Sequence, residues 1–217
     1  MKVAIFQMQV NSSLRENSVM IMRALQVAAH QKADVILFPE TALTGYLGLS
    51  LERLDDLDPE AIHDALNHIQ RECGHLGIAA VVGQYFKRCG RWYNNAVAID
   101  SRGRIVGSYD KCQLVDKDCY EVAPGNQFPL FKLGSVDCSM AICHDIRYPE
   151  ILRQYARQGS QVHFHLFYGV RHPSQLEHQA HYDAHIMTRA IENGFFRLHA
   201  VSCGTPQAHW AAAGVNG

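Results

Sequence analysis

The chain has 217 residues, 47% of them hydrophobic, and a formal net charge of −1 at pH 7. That is enough chain to bury one sizeable core, and the balanced charge offers no basic excess for nucleic acid. No apolar run is long enough to span a bilayer, so no membrane partner is expected. Seven cysteines, at positions 73, 89, 112, 119, 138, 143 and 203, form neither a C-x-x-C pair nor a small disulfide framework. The odd count suits a reducing compartment, and a cytoplasmic location is expected. Met1 to Phe6 passes directly into a strand pattern, without the segments of a secretory leader.

In chain order, Val3 to Met8 reads as a strand. Asn11, Ser12 or Ser13 can then cap a helix running to about Gln31, before a strand from Val35 to Phe38. Asp58-Pro59-Glu60 starts a helix whose Ile62, Leu66 and Ile69 are spaced for one buried face. Gly77 to Gly83 and Tyr93 to Ile99 read as strands, and Asp100-Ser101-Arg102-Gly103 turns the latter into Ile105 to Tyr109. Phe128 to Leu133 and Val136 to Ile142 flank a turn at Gly134. There follow a helix (Pro149 to Gln158), a strand (Val162 to Leu166), a long helix (Gln175 to Asn193) and a strand (Phe196 to Ser202). Without repeats or a linker, residues 1–217 read as one layered α/β domain.

Three of these strands end on chemistry. Val35 to Phe38 delivers Glu40 into a loop that Pro39 opens, and Val106 to Tyr109 closes on Lys111. Val136 to Ile142 delivers Cys143 beside a helix start, where free N–H groups favour negative charge. Strand, nucleophile, helix is an arrangement that several hydrolases use to expose a nucleophile. Each residue alone has an ordinary reading: a helix cap, a solvated lysine, a buried inert thiol. Glu, Lys and Cys at three strand ends in that order are a rarer combination.

These segments resemble the nitrilase superfamily of carbon–nitrogen hydrolases. The resemblance rests on Phe38-Pro39-Glu40 with Thr44-Gly45-Tyr46, on Tyr109-Asp110-Lys111, and on Cys143-His144-Asp145-Ile146-Arg147-Tyr148-Pro149-Glu150. Tyr93-Asn94-Asn95-Ala96-Val97 and Arg189-Ala190-Ile191-Glu192-Asn193 look like the family's intervening landmarks. It runs from Val3 to about Gly204. It implies a four-layer α-β-β-α sandwich and a Glu-Lys-Cys triad, with Glu40 as general base and acid, Lys111 beside the oxyanion and Cys143 as nucleophile. It implies further that the backbone N–H of His144 shares the oxyanion, that Glu121 orients the lysine, and that Tyr46 lines the pocket. The chemistry expected is amide or N-carbamoyl hydrolysis through a cysteine thioester, releasing ammonia, with no cofactor and no metal. Arg147, four residues after the nucleophile, resembles the amidase and carbamoylase branches, and its planar fork suits a substrate carboxylate. A structural ion pair for Arg147 and turnover of nitriles are the alternatives to that choice.

Some positions depart from the family pattern. Asp110 and Gln113 stand where an Arg and a His are common around the lysine, and the segment after Gly204 is short. The expectation is therefore a sandwich lacking C-terminal strands, which leaves a family-like interaction protein as a non-enzymatic alternative. A homodimer across the helices Pro149 to Gln158 and Gln175 to Asn193 is expected. The thirteen histidines give a competing enzyme reading. His163 and His165 share a strand face, while His178, His181 and His185 share a helix face. Such clusters can hold zinc, although no H-E-x-x-H pattern accompanies them. Their ordinary reading is packed core and surface histidines.

Overall fold

The computed structural model describes residues 1–115, 117–169, 176–202 and 211–213. Strand alternation decides how its layers are covered. In β1 (Val3–Ile5), β2 (Val35–Leu37) and β3 (Ala79–Arg88), Val3, Val35, Leu37, Ala79 and Val81 face one core. Ala4, Ile36, Ala80 and Val82 face the other. The latter core is closed by α1 (Leu14–His30) and α2 (Pro59–Leu76), which bury Ile21 and Leu25, and Ile62, Leu66 and Ile69. Ser13 caps α1 by accepting from the Glu16 N–H, and Asp58 caps α2 by accepting from the Glu60 N–H. Gly77 closes α2 with a φ of 69°, where its lack of a Cβ avoids strain.

β4 (Arg91–Ile99) and β5 (Ile105–Asp110) extend this sheet antiparallel. After the single turn α3 (Asp118–Glu121), β6 (Phe131–Leu133) and β7 (Val136–Ile142) form a hairpin. A 3-10 turn from Cys143 to Arg147 leads into α4 (Pro149–Arg157). β8 (Val162–Phe167) pairs parallel to β7; then α5 (Leu176–Asn193) returns the chain to β9 (Phe196–Val201), parallel to β8. Phe131, Leu133, Cys138, Met140, Phe164 and Leu166 share a core with the first sheet, and Ile151, Leu152 and Tyr155 of α4 join it. The result is the expected sandwich of helix, sheet, sheet and helix layers.

Most elements fall where the sequence pattern puts them. The first strand stops at Ile5 instead of Met8, and the third runs on to Arg88 because its register with β4 holds for the whole hairpin. α3 has no periodic signal in the sequence. Where missing C-terminal strands are expected, β10 (Ala211–Ala213) pairs antiparallel with β1, so the first sheet is ordered β10-β1-β2-β3-β4-β5. Among the described residues, no helix is long and apolar enough to cross a membrane.

Candidate active site

β2 and β5 belong to one sheet and β7 to the other, and their ends meet. Lys111 directly follows β5, Cys143 directly follows β7, and Glu40 lies three residues beyond the end of β2. The Glu40 loop is fixed by backbone bonds: its N–H donates to the Phe167 carbonyl (3.2 Å), and the Tyr168 N–H donates to Glu40 Oε2 (2.9 Å). β3 runs beneath this loop at Gly83, whose carbonyl accepts from the Leu43 N–H. A Cβ there would stand 2.5 Å from Pro39 O and Thr41 N, so only glycine allows the approach.

Lys111 Nζ donates to Glu40 Oε1 at 2.7 Å, and neither side chain is exposed to solvent. Asp118 Oδ2 lies 3.4 Å from the same ammonium. The Asn94 amide ties the two carboxylates together, donating to Glu40 Oε1 (2.8 Å) and Asp118 Oδ2 (3.1 Å). The Tyr85 hydroxyl donates to Asp118 Oδ1 at 2.8 Å. Burial works against the lysine's charge, but the Glu40 carboxylate outweighs it, and the ammonium keeps its proton well above the usual lysine range.

The Cys143 thiol faces the Glu40 carboxylate. Burial first, and then the Glu40 carboxylate, push its pKa up against the pull of Lys111, so the resting group is a thiol. Its backbone is strained: Cys143 has a φ of 46°, which side chains other than glycine rarely adopt. Asp145 secures this turn. It accepts from the Ile142 N–H (3.0 Å), the Gln113 N–H (2.8 Å) and the Tyr109 hydroxyl (2.8 Å), tying the end of β7 to the segment that carries Lys111. Burial nonetheless raises its carboxyl to about 6.

Tyr46 stacks on Tyr168 with ring centroids 4.4 Å apart, and its ring lies 5.8 Å from Lys111 Nζ. Burial and the nearby Glu40 raise its hydroxyl far above the usual range, so it stays neutral. Arg147 is exposed and sits over the Tyr182 ring of α5 at 5.4 Å. Burial, and then Cys143, raise the Tyr182 hydroxyl, and Arg147 pulls against them. The His144 and Tyr148 rings meet edge to face at 5.7 Å.

The structure thus brings Glu40, Lys111, Cys143 and Tyr46 together, with Arg147 near them. Glu121 is the correction. It is exposed at the end of α3, and the carboxylate that reaches Lys111 is Asp118, three residues earlier. α3 abuts the lysine so closely that the shorter acid suffices. Asn94, Asp118 and Tyr168 are absent from the sequence-derived set. For Asn94 a signal existed, since the adjacent amides Asn94 and Asn95 in the middle of a strand need polar partners. His163 and His165 are buried and bonded to each other. The side chain of His178 lies outside the described residues, and no metal-binding group of three His, Cys, Asp or Glu occurs among those described.

Two interdigitated sheets, their outer helices and a buried acid–ammonium pair at a strand-end thiol define a cysteine-hydrolase architecture. The profile of the carbon-nitrogen hydrolase family matches residues 2–214, and the chain belongs to that family. Its relatives lie on the amidase-like side of the nitrilase superfamily. A hydrolase in the agr operon of Staphylococcus lugdunensis is 32% identical over 179 residues, covering 81% of this chain and 74% of that one. The 2-oxoglutaramate amidase of Bacillus subtilis is 32% identical over 168 residues, covering 76% of this chain; the chain spans only 61% of that relative's length. The fold is that of an amidase from Nesterenkonia sp., with a TM-score of 0.84 at 24% identity, covering 98% of this chain and 79% of that chain.

Proposed function

We propose that this carbon–nitrogen hydrolase cleaves the amide or N-carbamoyl group of a small substrate bearing a carboxylate. The observation that carries the reading is the fully buried Glu40–Lys111 pair at the Cys143 thiol. A buried pair of this kind costs desolvation energy, and a hydrolase has a use for both of its charges. Because the thiol rests protonated, attack and deprotonation are coupled. Cys143 Sγ bonds to the carbonyl carbon as Glu40 takes the thiol proton. The oxyanion forms beside the Lys111 ammonium and the His144 N–H. Glu40 then passes its proton to the leaving nitrogen, and ammonia departs from the tetrahedral intermediate as the C–N bond breaks, leaving the thioester. Water, deprotonated by Glu40, attacks the thioester; the acid leaves and the thiol is restored. Asp118 and Asn94 hold Lys111 and Glu40 in register through these steps.

Tyr46 and Tyr168 form the aromatic wall of the pocket, and Arg147 binds the substrate carboxylate at its mouth. The name of the Bacillus subtilis relative, 2-oxoglutaramate amidase, supports an amide over a nitrile. A panel of ω-amides, N-carbamoyl amino acids and nitriles tests the choice, with turnover of the first two classes expected. Turnover of nitriles alone would reject it. Trapping should yield an acyl adduct on Cys143 and not on Cys112 or Cys138. The reading also includes a homodimer across α4 and α5, where Met187 and Ile191 of α5 are 63% and 78% exposed. Light scattering at micromolar concentration should give twice the chain's 24.4 kDa.

A further inference from the structure

A second polar network approaches Cys143 from the side opposite the charges. On the helix-facing side of β8, His165 Nε2 lies 3.0 Å from the Cys143 carbonyl oxygen. His163 Nε2 lies 3.3 Å from His165 Nδ1, and His163 Nδ1 lies 2.8 Å from Ser139 Oγ, itself 2.7 Å from Ser160 Oγ. All four side chains are buried. Burial, with the charge of Arg197 adding to it, holds both imidazoles well below the usual histidine range, so both are neutral. A carbonyl oxygen only accepts and a neutral imidazole carries one N–H, which together orient the chain. His165 Nε2–H donates to Cys143 O, His163 Nε2–H to His165 Nδ1, and Ser139 Oγ–H to His163 Nδ1, while the Ser160 hydroxyl hydrogen is shared between Ser139 Oγ and the Val162 carbonyl at 3.3 Å.

The end of this chain matters because a peptide unit is planar. The carbonyl of Cys143 and the N–H of His144 belong to one unit and point in opposite directions. Holding the carbonyl from behind aims the N–H forward, and donation to the carbonyl polarises that amide. The unit follows a residue with a φ of 46°, so its orientation needs an outside anchor. We propose that His165, backed by His163 and Ser139, is a positioning residue that aims the His144 N–H at the developing oxyanion. This rests on the cysteine-hydrolase reading above, in which that N–H shares the oxyanion with Lys111.

Glutamine and methionine at position 165 separate the donor from its bulk, because they are nearly the same shape and only glutamine donates. His165→Met should lower kcat by about tenfold to a hundredfold, a fraction of what losing an entire oxyanion donor costs, with KM within about twofold. His165→Gln should recover most of that loss. Alkylation of Cys143 by iodomethane, which has no carbonyl, supplies the contrast. Sulfur bonds to the methyl carbon, iodide leaves and Glu40 takes the thiol proton, with no oxyanion formed. Its rate should be unchanged in both variants. Ser139→Ala, a milder change should His165→Met not fold, should lower kcat several-fold with alkylation again intact. Full turnover in His165→Met or Ser139→Ala, or parallel losses of turnover and alkylation, would overturn the inference while Cys143 keeps its role. Turnover that persists in Cys143→Ala would overturn the catalytic reading, and this inference with it.

Discussion

Two polar networks converge on Cys143, and they solve the problem of burial differently. On the first-sheet side, Glu40, Lys111 and Asp118 are buried as charges and held by Asn94 and Tyr85. On the second-sheet side, Ser160, Ser139, His163 and His165 are buried without charge, each donating to the next. The charged network can move protons and stabilise an oxyanion, but it exposes the fold to a large penalty whenever one member is lost. The neutral chain does neither, and the loss of one bond leaves only one or two unpaired polar atoms. Catalysis takes place on the charged side, and geometry is held from the neutral side.

The largest expected effect is on turnover. Cys143→Ala should abolish amide hydrolysis with the fold kept, since the thiol's loss unpairs no buried charge; steady-state kinetics beside a urea melt checks both halves. Lys111→Met should come next. Besides losing activity, it leaves two carboxylates buried against each other and should cost about 3–5 kcal/mol of stability. His165→Met should cost only about 1–3 kcal/mol. Equal losses in matched urea melts would break the distinction between the two networks.

The pH dependence of stability sharpens it further. A histidine with a depressed folded pKa stabilises the fold above its unfolded value, near 6.5, and that contribution is lost as pH falls. With His163 and His165 both depressed, stability should fall by up to about 2.7 kcal/mol per pH unit below that point. Asp145 has the opposite sign. Its carboxyl is raised to about 6, so its contribution is present below about pH 4 and is lost as pH rises through about 6. Between those values it offsets roughly one of the two protons. Urea melts at pH 7, 6 and 5 should show the decline, and His163→Gln should make it shallower. The smallest effects separate two neighbouring acids: Asp118→Asn should reduce kcat about tenfold, whereas Glu121→Gln should leave it within about twofold. Equal losses in both would undo the assignment of Asp118.

What was legible in the sequence follows from how far each signal reaches along the chain. Glu40 and Cys143 each follow an apolar run and Lys111 closes a strand, so a local pattern marks them, and the layer order follows from alternating strands and amphipathic helices. Asp118 and Glu121 lie in a segment with no periodicity. Which of the two meets Lys111 depends on how a single turn docks against β3 and β4, which is a tertiary fact. The histidines of β8 show the same limit from the other side. Their shared face was readable, but not the serine behind one and the Cys143 carbonyl ahead of the other, because both partners come from β7 and the turn after it.

Gly83 sets a bound on how this protein can be improved. Strand interiors usually gain roughly 0.5–1 kcal/mol when glycine becomes alanine, so a search for heat resistance would choose this residue early. Here the added methyl would enter the space occupied by Pro39 O, Thr41 N and the Cα of Glu40. The loop would lift, and the carboxylate would leave both ammonium and thiol. The added methyl would meet backbone on three sides and leave a buried ammonium without its acid, so melting temperature and turnover should fall together and a screen scored on either would reject it.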